Sequence, residues 1–213
     1  MNNNFHKANK LTDGPTSIFI AGEADELREA MHKKYSVSTI EAVPKSNIEK
    51  LIYSQFEQYC NFAFCEKIED YSFYSKEPLN VIAKDKNGGV YGFIGGIGDL
   101  LDDNYPTFYV SKDGKAGKIA NSFMELLALV IHYPFWKDLL KYHNEDVEGL
   151  IEELTKKTLE ELPDYNKVKQ NLMDSLSLNE YKYTIESLFN CLQDESKFTV
   201  YSKIDNSPLG HLL

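Results

Sequence analysis

Two apolar runs set either side of a polar, glycine-rich turn constrain this chain more than any other feature. Leu79-Asn80-Val81-Ile82-Ala83 and Val90-Tyr91-Gly92-Phe93-Ile94 flank Asp85-Lys86-Asn87-Gly88-Gly89. Asn and Gly accept the positive φ that a tight or bulged connection needs, so the pattern predicts a β-hairpin. A third apolar run, Thr107-Phe108-Tyr109-Val110, follows Pro106 and stops at a second turn signal, Ser111-Lys112-Asp113-Gly114. From Asn121-Ser122 onward the period changes: Phe123, Leu126, Leu127, Val130 and Ile131 recur at helical spacing until Tyr133-Pro134, where proline disfavours helix in the residue before it. Strands followed by a capping helix in so short a stretch predict an α+β architecture.

The flanks read as follows. Residues 1–15 are polar and end at Asp13-Gly14-Pro15; Ile18-Phe19-Ile20 is a candidate strand. Glu23 to Lys34 predicts a short helix, with Leu27, Ala30 and Met31 on one face, acids at its start and bases at its end. Pro44-Lys45-Ser46-Asn47 opens a second helix whose Ile48, Leu51, Ile52, Gln55, Phe56 and Tyr59 repeat every three or four residues. Beyond residue 143 the pattern is helical, with Val147, Leu150, Ile151 and Leu154 on one helix and Leu178, Tyr181, Ile185, Leu188 and Phe189 on another. A third helix is predicted over Tyr165 to Met173, and a last strand over Phe198-Thr199-Val200-Tyr201. This divides the chain into an α+β domain, residues 1–143, and a helical extension, residues 144–213, packed on the same domain and ending in a short strand.

The 213 residues are enough for one sizeable core, and 42% hydrophobic residues with few Gly and Pro argue against long disordered tracts. Charge then narrows the partners. Residues 144–213 carry 14 acids and 7 bases of a chain whose formal charge is −10, a field that repels phosphate backbones and anionic membranes. Three cysteines, an odd number, do not suggest a disulfide framework in a chain of this size, and no run approaches about 18 apolar residues, so a cytoplasmic protein with neither nucleic-acid nor membrane partner is expected.

Candidate chemistry is sparse. Gly92-Phe93-Ile94-Gly95-Gly96-Ile97-Gly98 invites a phosphate-loop reading, but Leu101 stands where a third glycine would be needed and no Gly-Lys-Ser/Thr element follows. A bulge or close strand packing is the other reading of these glycines. The five histidines show no i, i+4 pair, and Cys60 and Cys65 lack a second ligand pair, so neither a metal nor any other cofactor is expected. No local signature supports a Cys-His nucleophilic pair. Asp99, Asp102, Asp103 and Tyr105 crowd one loop; they read either as a solvated loop or as a partner-facing acidic edge with an aromatic anchor. The acidic helix faces beyond residue 144 carry the same two readings.

The ordered set in residues 79–140 resembles the SUKH superfamily, which contains the yeast cell-wall synthesis regulators and many bacterial immunity proteins. The features are Ile82-Ala83 running into an Asp-x-Asn-Gly-Gly turn, Tyr91-Gly92, Phe108-Tyr109-Val110 leading to Asp113-Gly114, then Ile119-Ala120, Ser122-Phe123 and a Leu-rich helix. The resemblance implies a mixed, mostly antiparallel sheet flanked by helices, no catalytic residues, and, for bacterial members, inhibition of a cognate toxin. The expected function is therefore a non-catalytic immunity-type protein whose partner is a protein toxin, a basic nuclease suiting an acidic inhibitor. A regulatory or scaffold module of cell-wall or glucan synthesis is the alternative, and a hydrolase using Cys or Asp residues near the glycine-rich turn is a more remote one.

Overall fold

The computed structural model describes residues 37–95, 105–143, 145–179, 184–193 and 198–213. The predicted strand at Ile18–Ile20, the predicted helix at Glu23–Lys34 and the acidic positions Asp99, Asp102 and Asp103 lie outside the described residues.

The fold is α+β. A mixed, mostly antiparallel six-stranded sheet contains β1 (Val37–Thr39), β2 (Ala63–Phe64), β4 (Leu79–Lys84), β5 (Val90–Ile94), β6 (Thr107–Val110) and β7 (Ala116–Ala120). The order is β1-β4-β5-β6-β7. β1 is parallel to β4, and β2 pairs antiparallel with the other end of the same β4 edge. A separate two-stranded ribbon joins β3 (Phe73–Ser75) to β8 (Val200–Ser202). The described helices are α1 (Asn47–Cys60), α2 (Phe123–His132), α3 (Trp136–Leu139), α4 (Glu148–Glu161), α5 (Tyr165–Ser175) and α6 (Ile185–Gln193).

Strand alternation separates the sheet into two apolar faces. On β5, Tyr91 and Phe93 join the helix-side core with Phe56, Leu126, Trp136 and Leu172, while Val90 and Ile94 join Phe108, Phe73 and Val200 beneath the ribbon. A register shift between Val81 and Ala83 breaks the alternation of β4, so Leu79 and Val81 face the ribbon whereas Ile82 and Ala83 face the helices. With both faces covered, the central strands are buried throughout, which is why their sequences read as near-continuous apolar runs.

Helix ends follow local chemistry. Ser46 Oγ accepts from the Glu49 N–H (3.1 Å) at the start of α1, and Ser122 Oγ accepts from the Glu125 N–H (3.2 Å) at the start of α2. Glu125 returns the favour through its carboxylate, which accepts from the Asn121 N–H at 2.8 Å. α1 ends at Asn61, whose φ of 51° is the left-handed conformation that closes a helix. From the helical extension, Val168, Leu172, Met173, Leu178, Ile185 and Leu188 share one core cluster with the helix-side face of the sheet. The Tyr165 hydroxyl reaches back 2.5 Å to the Ile131 carbonyl near the end of α2.

Several elements differ from the sequence expectation. Leu178, assigned by periodicity to the same helix as Ile185, lies just past α5, its N–H donating to Met173 O at 2.9 Å, and α6 begins at Ile185. β1, β2, β3 and β7 had no strand signal, because strands of two or three residues are too short for a period and β7 carries Gly117 and Lys118 in its middle.

Candidate functional site

The densest polar chemistry in the described residues lies at the turn joining β4 to β5. The Asp85 N–H donates to Gly89 O (2.9 Å) and the Gly88 N–H to Asp85 O (3.1 Å), closing the loop; Gly88 has φ +87°. Asp85 Oδ1 accepts from the Asn87 N–H (2.8 Å) and the Gly89 N–H (2.9 Å). Its Oδ2 accepts from the Tyr109 hydroxyl (2.6 Å) and the Lys137 ammonium (2.5 Å). The carboxylate is 0% exposed and the lysine side chain 22%.

Neighbouring elements fix this geometry. A Cβ on Gly89 would sit 2.1 Å from the Tyr109 hydroxyl oxygen, so only glycine leaves room for the phenol to reach Asp85. Asn61, the residue closing α1, accepts from the Lys86 N–H at 2.9 Å and ties that helix to the turn. Lys137 arrives on α3 with its ammonium 5.1 Å from the Tyr109 ring centroid, 5.8 Å from Trp136 and 5.9 Å from Tyr91, an aromatic surround that favours a cation.

Burial pushes the Asp85 carboxyl up, but the hydrogen bonds from Lys137 and Tyr109 outweigh it and hold the group below its ordinary value. Burial, then donation to that carboxylate, pushes the Tyr109 phenol up, so it stays a donor. A carboxylate offers about four lone-pair positions, and four donors occupy those of Asp85. Such a group organises a hairpin; it has no position left for a substrate proton.

The other titratable candidates are similarly enclosed. Cys60, Cys65 and Cys191 are free and buried. Burial pushes the thiols of Cys60 and Cys65 up, away from the nucleophilic thiolate form. Burial, then the charge of Lys169, holds His132 down to about 4, so its ring is uncharged at neutral pH. Among the described residues no group of three or more His, Cys, Asp and Glu side chains is placed to hold a metal ion.

The glycine run resolves into packing where it is described. A Cβ on Gly92 would lie 2.3 Å from the Asn80 carbonyl oxygen and 2.7 Å from the Phe108 ring, and Gly95 turns the chain out of β5 with φ +96°. Of the sequence-derived partner residues, Tyr105 alone is described. It is half-buried, packed against the helix-side core with its ring 6.2 Å from Phe93 in an edge-on arrangement. A hollow of about 460 Å³ lies between the ribbon and the ends of β5 and β6, lined by Ile94, Pro106, Lys76, Lys118 and Tyr201.

Two surface features stand out. Residues 145–164, spanning α4, hold eight acids and two lysines. No residue of α4 is buried, and Glu148, Glu152, Glu153, Glu160 and Glu161 are all exposed. The second feature is apolar: Val43, Ile48 and Leu51, at and just before the first turns of α1, are 61%, 72% and 57% exposed. No sequence signal separated these from core positions, since Ile48 and Leu51 share the periodic stripe with Phe56.

No helix among the described residues is long and apolar enough to cross a membrane. Comparison of the chain with models of protein families, with characterised proteins and with solved structures finds no match in any of the three.

Proposed function

We propose that this chain is a non-catalytic immunity-type protein that binds and neutralises a cognate protein toxin. The observation that carries the reading is the order of elements between residues 79 and 132. A strand, the Asp-x-Asn-Gly-Gly turn, a strand with an aromatic-glycine pair and a third strand ending at an Asp-Gly turn lie in one sheet, and β7, which holds Ile119-Ala120, leads from there to the Leu-rich helix; this order supports the reading because the resemblance was drawn on the same residues. The interior chemistry is in keeping with it. Asp85 is saturated by structural donors, the described thiols are buried, and what distinguishes the molecule is its surface. An acidic helix such as α4 suits a basic partner, because opposite fields speed encounter and fix register.

Co-expression with the toxin encoded beside this chain tests the reading. The expected result is rescue of growth and a complex that survives size exclusion, with association slowing as salt rises. Undiminished toxicity together with no complex would overturn it.

A further inference from the structure

Asn87-Gly88, in the turn between β4 and β5, is the one Asn-Gly pair in the chain, and both residues are exposed. Such a pair has a reactivity of its own. A glycine nitrogen has no neighbouring side chain to shield it, so it is able to attack the amide carbon of the asparagine before it. The turn opposes that attack in two ways. The Gly88 N–H, whose nitrogen would be the nucleophile, donates to Asp85 O at 3.1 Å and is thereby occupied. The N–H groups on either side of it, those of Asn87 and Gly89, donate to Asp85 Oδ1 at 2.8 Å and 2.9 Å, which sets a carboxylate charge against the peptide units flanking the nitrogen that has to lose its proton. That carboxylate is held in turn at Oδ2 by Tyr109 from β6 and Lys137 from α3.

We propose that Asn87 is a site of hydrolytic deamidation held shut by the Asp85 network, and that it reacts when the turn opens locally. In the reaction Gly88 N bonds to Asn87 Cγ, the Cγ–Nδ2 bond breaks, and the Gly88 proton leaves with the side-chain nitrogen as ammonia. Water then opens the cyclic imide at either carbonyl, leaving aspartate or isoaspartate at position 87; nothing is oxidised or reduced. Both products add a negative charge beside the Asp85 carboxylate. Isoaspartate also adds a methylene to the main chain, so the bonds from Asp85 N–H to Gly89 O and from Gly88 N–H to Asp85 O, which close the loop, lose their register. The released ammonia makes the change one-way, and the hold of Tyr109 and Lys137 on Asp85 sets how long the hairpin stays chemically intact. The site does not depend on the toxin reading and would exist in a protein of another function.

Peptide mapping by mass spectrometry of the full chain, incubated at neutral pH, tests it by following the mass gain and the isoaspartate at position 87. Conversion in the folded parent should be about tenfold or more slower than in the same chain unfolded in guanidinium, since reaction waits on opening. Lys137→Met and Tyr109→Phe each remove one hold on Asp85 Oδ2 and should speed conversion severalfold. Leu188→Ala, which truncates a buried side chain of α6 and lowers global stability without touching the turn, should leave it unchanged. Circular dichroism shows that each variant is folded; if Lys137→Met fails that check, Tyr109→Phe decides. Conversion as fast in the folded parent as in guanidinium overturns the proposal, and so does a parent-like rate in the folded variants at Lys137 and Tyr109. Equal acceleration by Leu188→Ala would assign the reaction to global unfolding and overturn it too.

Discussion

Two turns of this sheet have one design and different surroundings. Asp85–Gly89 joins β4 to β5, and Ser111–Lys115 joins β6 to β7. In each, the first residue donates its N–H to the fifth residue's carbonyl, at 2.9 Å and 2.8 Å, and accepts from the fourth residue's N–H, at 3.1 Å and 2.9 Å. The fourth residue is glycine with φ +87° or +86°. The first side chain accepts from the fifth residue's N–H, through Asp85 Oδ1 or Ser111 Oγ, at 2.9 Å in both. The difference lies in what surrounds that side chain. Asp85 is buried and answers a phenol and an ammonium from other elements, whereas Ser111 donates to Asp113, two residues away, in an exposed turn. Local sequence makes the turn; tertiary context decides how much the molecule depends on it.

Substitutions at matched positions can break that contrast. Asp85→Ala is expected to have the largest effect, lowering unfolding free energy by about 3 kcal/mol or more, because it leaves the Lys137 charge and the Tyr109 hydroxyl without their acceptor. Chemical denaturation measures this, and a loss no greater than at Ser111 would abolish the distinction. The same carboxylate sets an acid dependence. Its folded pKa lies below its ordinary value, so its stabilisation is present above the unfolded carboxylate pKa and is lost as pH falls through the folded one. An acid titration of Asp85→Asn should therefore be shallower than that of the parent over that window.

Gly89→Ala comes next, at about 2 kcal/mol, since the new methyl meets the Tyr109 phenol. The sharper version is a double-mutant cycle. In a Tyr109→Ala background the same methyl should cost under about 1 kcal/mol, because the clash has gone; equal costs in both backgrounds would point to the backbone instead. The smallest effect is expected at Ser111→Ala, about 1 kcal/mol or less, since water replaces an exposed hydroxyl's partners.

The candidate site was legible in the sequence to unequal degrees. The Asp85 turn was readable as a turn, and its glycines as geometric, because Asn-Gly-Gly between apolar runs has few other uses. Its partners were not, since Lys137 lies 52 positions away and nothing local marks it as the counter-ion of Asp85. Tyr105, expected either in a solvated loop or as the aromatic anchor of a partner-facing edge, packs half-buried against the helix-side core, and the neighbouring Asp99, Asp102 and Asp103 lie outside the described residues. Ile48 and Leu51 show the converse. Periodicity put them on the stripe of Phe56, and only the packing of α1 turned that stripe so that its first residues face outward.

The sequence by itself determined the β4–β5 hairpin, the capped starts of α1 and α2, the excess of acids beyond residue 144 and the α+β class, because each depends on neighbours within a few residues or on composition alone. The tertiary structure decided the rest: the parallel placement of β1 beside β4, the ribbon that β8 forms with β3 from the far end of the chain, and the burial of the Asp85 carboxylate while the Ser111 hydroxyl of the matched turn stays at the surface. These follow from which apolar faces meet. That is a property of the whole packed chain, which no local window contains.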